Sequence, residues 1–161
     1  MHNRATARPV TLPHPAMPDA DWADAFVIAV DQPDLTAPKA ARHVIDSAPA
    51  WYHRLLALRN IIVKPLGLKT DLDTAGNAQL EAIGVFPLIR ETDTCAVLGL
   101  DDQHLNFRIV IETEPLGSNA TLVRSITLIR RNNGLGHAYL AAVMPFHNRI
   151  VPAMLNAAYG S

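Results

Sequence analysis

From Val85 to Arg131 the chain runs through four stretches of alternating character, Val85–Glu91, Thr94–Leu100, Leu105–Pro115 and Ala120–Arg131. The breaks between them are short and polar: Glu91-Thr92-Asp93, Asp101-Asp102-Gln103 and Pro115 to Asn119. A two-residue period sends successive side chains to opposite faces of a strand, and turns this short exclude crossover helices. The four stretches are therefore predicted to form an antiparallel meander. The third shows the pattern most clearly. Leu105, Phe107, Ile109 and Ile111 point one way, and His104, Asn106, Arg108 and Val110 the other.

The flanking segments add one strand and three helices. Trp22–Val30 reads as a first strand with Phe26, Ile28 and Val30 on one face. Between Asp34 and Ala48, Thr36 suits a helix cap and Pro38 a first turn, and Ala40, Val44 and Ala48 form an apolar stripe. Pro49 ends that helix. A second begins near Ala50, with Trp51, Leu55, Leu58 and Ile62 on its apolar face, and stops at Pro65 and Gly67. Lys69–Glu81 is a polar loop. From Gly134 to Ala158, Leu135, Tyr139, Ala142, Phe146, Ile150, Met154 and Ala158 recur at helical spacing. That helix would be roughly 37 Å long. Pro145 and Pro152 are expected to bend or interrupt it.

The expected architecture is α+β: a curved antiparallel sheet around a long C-terminal helix, with two short helices after the first strand. Residues 1–21, with Pro9, Pro13, Pro15 and Pro18, read as an extended leader, and residues 22–161 as a single domain. At 161 residues, 49% hydrophobic, the chain can bury a core without staples. A formal net charge of -1 argues against nucleic acid as the partner. No stretch has the apolar length of a membrane span, so the expected location is the cytoplasm. Cys95 stands alone in an apolar run and reads as a buried structural thiol.

Three segments carry a resemblance: PAWYHRLLALRN at Pro49–Asn60, VLGLDDQHLNFR at Val97–Arg108 and GHAYLAAVMPFHNRIV at Gly136–Val151. They are similar to a bacterial family known only as a domain of unknown function. The element order resembles the helix-grip fold of the START and birch-pollen-allergen (SRPBCC) superfamily. The resemblance implies a cavity between sheet and final helix. It brings no catalytic set, because that superfamily hosts carriers, receptors and enzymes alike.

Two histidines are candidate acid–base groups. His147 follows Pro145, whose missing N–H leaves a carbonyl near Ala141 unpaired, and a bend there would turn the imidazole inward. His104 shares a predicted strand face with Arg108, roughly 13 Å away, too far for both to hold one small carboxylate. The plainer alternatives are a solvated helix histidine, and a turn shaped by Asp101 and Asp102 with Arg108 in a surface ion pair. Candidate ligand contacts are Trp51, Leu55 and Arg59 on the second helix, Phe107 and Arg108 on the third strand of the meander, and Tyr139, Phe146 and His147 on the last helix. The aromatics among them serve equally as plain core. No HxxxH, GxSxG or phosphate loop is present, so neither a metal nor a cofactor is implied.

Three functions remain in competition. The first is a binding module for a small apolar ligand held between sheet and helix. The second is an enzyme of the cyclase, dehydratase or isomerase kind using His147 or His104. The third is an interaction protein with a filled interior, compatible with a homodimer through an edge strand or apolar patch.

Overall fold

A computed structural model describes residues 3–54, 57, 82–84 and 86–161. Its strands are β1 (Thr6–Arg8), β2 (Trp22–Val30), β3 (Ala82–Ile83), β4 (Phe86–Glu91), β5 (Cys95–Asp101), β6 (Leu105–Leu116) and β7 (Ala120–Arg131). Helix α1 spans Ala37–Asp46 and helix α2 spans Gly134–Tyr159. Residues 50–54 are also helical. The strands form one antiparallel sheet in the order β1-β2-β7-β6-β5-β4-β3, which does not close on itself. The α+β class is as expected. The meander is too, its four predicted strands matching β4 to β7 within a residue at each end. The remainder of the predicted second helix and the loop at 69–81 lie outside the described residues.

Helix α1 begins at Thr36 in extended backbone, but no side-chain hydrogen bond caps it. At the start of α2 the Asn133 side chain accepts from the Gly136 amide at 3.0 Å. Pro145 and Pro152 lie inside α2 without interrupting it. Its buried stripe runs through Gly136, Leu140, Met154 and Leu155. Phe146, expected on the apolar face, is instead half-exposed. The expected stripe and the buried one coincide only toward the end of the helix.

Strand pairing organises the face under the helices into rungs. Trp22, Ile129, Phe107 and Leu100 lie side by side in one rung. Asp24, Thr127, Ile109 and Leu98 form the next. Phe26, Ser125, Ile111 and Ala96 form the third. Towards β2's C-terminal end this inner face is sealed: Ile28, Val30, Ile111, Val123, Ala96 and Leu98 are buried against Ala37, Ala40, Ala41 and Val44 of α1 and Met154 and Leu155 of α2.

The opposite, outer face holds a second core. Ala25, Val97, Val110, Ile126 and Leu128 are buried there together with Met17. Val10, Leu12, Ala16 and Ala20 of the N-terminal segment pack against the same group. The segment also supplies β1 to the sheet edge. Arg131 Nε meets Asp21 Oδ1 at 3.2 Å and ties the end of the segment down.

Candidate functional site

Strand alternation brings Trp22, Asp24 and Phe26 to the inner face along with Ile28 and Val30. Asp24 is the acid in a row of large apolar neighbours. Opposite it, two residues after Pro145, α2 presents His147. The Nε2 of His147 lies 2.9 Å from Oδ2 of Asp24, and the two side chains are 17% and 20% exposed. The pair has ion-pair separation but not hydrogen-bond alignment. Both Asp24 oxygens and His147 Nε2 are inaccessible and make no hydrogen bond. A hydrogen bond weakens steeply when misaligned, so the contact between the two is one of charge and proximity. The Trp22 ring meets the imidazole edge-on, with centroids 5.7 Å apart.

The neighbourhood of the pair is apolar and only partly covered. Trp22, Phe26, Leu100, Leu105, Phe107 and Ile109 are all half-buried, whereas the corresponding rungs at the α1 end are sealed. Phe107 packs edge-on against Phe86, centroids 6.1 Å apart. The hydroxyl residues Thr127 and Ser125 are buried on β7, directly across from Asp24 and Phe26.

The candidate residues separate by position. Phe107 and His147 lie in this region. Tyr139 is half-buried on α2. Arg108 points to the outer face, where Nη1 donates to Asp101 Oδ1 at 2.7 Å, the surface ion pair weighed as its plainer role. His104 stands in the turn before β6. Its carbonyl accepts from the Asn132 amide at 2.8 Å, and its ring Nδ1 is 3.5 Å from Asn133 Nδ2. Trp51 and Phe146 are exposed at 40% and 50%. Leu55 and Arg59 lie outside the described residues. Asp24 was missed by sequence reasoning. The available signal was its parity: it is an acid on the same face as Phe26, Ile28 and Val30.

Cys95 is half-buried on the outer side, with burial and then Glu112 pushing its thiol pKa up, so it is a poor nucleophile. Among the described residues no three His, Cys, Asp or Glu side chains converge as metal ligands. No helix of the described residues is long and apolar enough to cross a membrane.

The chain is thus an α+β protein with one open antiparallel sheet, a C-terminal helix across it, and an Asp–His pair held between the two. Over residues 16–154 it matches the family described as "Protein of unknown function (DUF2867)", and it belongs to that family. Neither a curated protein nor a solved structure matches it.

Proposed function

We propose that the protein binds a small, largely apolar molecule on the inner face of its sheet, beside the first half of α2. In this reading the fold works as a helix-grip, holding a ligand between sheet and terminal helix. The supporting observation is the gradient of burial along that face. Ile28, Leu98, Ile111 and Val123 are sealed, while Phe26 and Ile109, in the rungs of Ile111 and Leu98, and Trp22, Leu100 and Phe107, in the rung beyond, remain half-open. A contiguous group of large apolar side chains left partly uncovered beside a few polar groups is the usual character of a ligand site.

Native mass spectrometry tests this reading. A small-molecule adduct, or a 1:1 complex with added naphthalene, is expected with the wild-type chain. Ile109→Trp puts a bulkier side chain on this face beside Phe107 and is expected to abolish the complex. A bare chain mass, with no response to naphthalene, refutes the proposal.

The Asp24–His147 pair favours a second reading, in which the bound molecule undergoes proton transfer at the imidazole. His147→Gln would then abolish turnover while leaving naphthalene binding intact. Loss of naphthalene binding in that variant would assign His147 to binding instead.

A further inference from the structure

At the head of α2 an asparagine precedes a glycine, Asn133-Gly134, and both residues are exposed. Asparagine is among the least durable side chains of a protein, and its weak point is the amide nitrogen of the residue that follows. That nitrogen can attack the side-chain carbonyl and close a ring. Glycine, with no Cβ and a permissive backbone, hinders the approach least. Whether the reaction is open in a folded chain depends on the contacts of the two residues.

Here those contacts favour it. As the first residue of the helix, Gly134 has an amide with no partner in the helical ladder, so the nucleophile is not tied up. Asn133 Oδ1 faces the Gly136 amide at 3.0 Å. A donor is therefore already in place for the negative charge that gathers on this oxygen during attack. The nitrogen to be expelled, Nδ2, has only long contacts, 3.4 Å to the Gln103 carbonyl and 3.5 Å to Nδ1 of His104. Closing the ring turns Asn133 out of its extended backbone, and nothing lies within 4 Å of where a Cβ on Gly134 would sit to oppose that turn. The neighbouring Asn132 is placed differently. Its Nδ2 donates to the Asp102 carbonyl at 2.9 Å and to Asn106 Oδ1 at 3.1 Å, and the residue after it carries a side chain.

We infer that Asn133 is a site of self-modification, where the chain loses ammonia and converts its own helix cap to an acid. The Gly134 nitrogen bonds to Asn133 Cγ, and the carbonyl electron pair moves onto Oδ1. Return of that pair breaks the Cγ–Nδ2 bond, and Nδ2 leaves as ammonia with the proton given up by Gly134. Water then opens the five-membered imide at either carbonyl, to aspartate or to isoaspartate. The sum is amide plus water giving acid plus ammonia, with no oxidant or reductant. The aspartate form keeps an acceptor for Gly136 but sets an oxygen against the Gln103 carbonyl, where Nδ2 had donated. The isoaspartate form lengthens the backbone by one carbon at the cap. Either product loosens the clasp between α2 and the turn before β6 as the chain ages. The inference is independent of ligand binding.

The test is ageing of the full chain in mildly alkaline buffer, with tryptic digests read by mass spectrometry. The peptide from Asn132 to Arg149 is expected to gain the mass difference between an amide and an acid, placed at Asn133 by its fragment ions, and to split into two chromatographic forms. Gly134→Ala, a substitution with open space around it, should slow the gain about tenfold. Asn133→Ser, which keeps a capping side chain, should abolish it. The same chain unfolded in urea separates the part of the fold from that of the dipeptide: the folded rate is expected to lie within about tenfold of the unfolded one. A constant peptide mass, a gain placed at Asn132 or Asn148, a rate unchanged in Gly134→Ala, or a folded rate more than about tenfold below that in urea overturns the inference.

Discussion

His147 and Asp24 approach each other from helix and strand, and the cost of separating them is a residue-scale question. His147→Ala leaves the carboxylate buried without its neighbour. It is expected to lower stability by about 1–3 kcal/mol, the lower part of that range applying because both side chains retain some exposure. Replacing both by leucine should recover most of the loss, since the apolar surround accepts apolar side chains. Urea denaturation of the two variants compares them directly; a double variant weaker than the single would mean the pair is a net stabiliser. A second residue-scale effect concerns Tyr159, packed against the His43 ring at 5.0 Å. Burial pushes its pKa up from 10.0 to about 12, and that of Tyr52 upward too. The neutral phenol is thus favoured in the folded chain. Its contribution is complete below pH 10 and is lost as pH rises from there through about 12. Stability should therefore fall across that interval, and less steeply in Tyr159→Phe, as followed by thermal melts at stepped pH. His147 was legible as a polar residue beside a helix proline. Asp24 was not, because one acid in a strand signals nothing until the parity of the strand is applied to it.

At the scale of elements, α2 shows how a close approach fixes a helix start. The Cβ of an alanine at position 136 would collide with the carbonyl oxygen of His104, which lies in the turn before β6. Gly136→Ala is expected to cost about 1–3 kcal/mol as the helix lifts from that turn, measurable as a lower denaturation midpoint. Gly134→Ala, with open space around it, is the control. The strands of the meander and β2 could be read from sequence because each is a run of six or more residues with a polar turn after it, and β6 alternates clearly. β1 and β3 could not. They are three and two residues long, too short to show a period, and become strands only through pairing with β2 and β4. The apolar stripe of α2 was misplaced for a different reason. Ala141, Ala142, Pro145 and Phe146 are apolar yet exposed, so apolar residues occur all round its first half and periodicity selects no face.

At the scale of the whole molecule, the sheet is covered on both sides by different means. Helices cover the inner face, and the irregular N-terminal segment covers the outer one. Sequence reading saw an extended leader and had no reason to give the sheet a second core. Yet β7 carries apolar residues at both parities, Val123 and Ile129 inward and Ile126 and Leu128 outward, as a strand buried on both faces does. A chain starting at residue 21 would expose Val97, Val110, Ile126 and Leu128. It is expected to bind anilinonaphthalene sulfonate strongly and to melt well below the full chain. An unchanged melt would mean that the segment merely rests on the surface.

The first and last described residues meet. The Asn3 amide donates to Ser161 Oγ at 3.1 Å, and the Ser161 amide donates back to the Asn3 carbonyl at 3.3 Å. Close by, the Ala5 amide donates to Asn156 Oδ1 at 2.8 Å, so the start of the chain is fastened to the last turns of α2. The backbone from residue 3 to residue 161 is therefore nearly a ring. Joining its ends through a few glycines and reopening it at the exposed Gly117–Ser118 turn should yield a rearranged chain with the same fold. In that permuted chain the outer strap and the terminal helix become one continuous segment passing over the edge of the sheet.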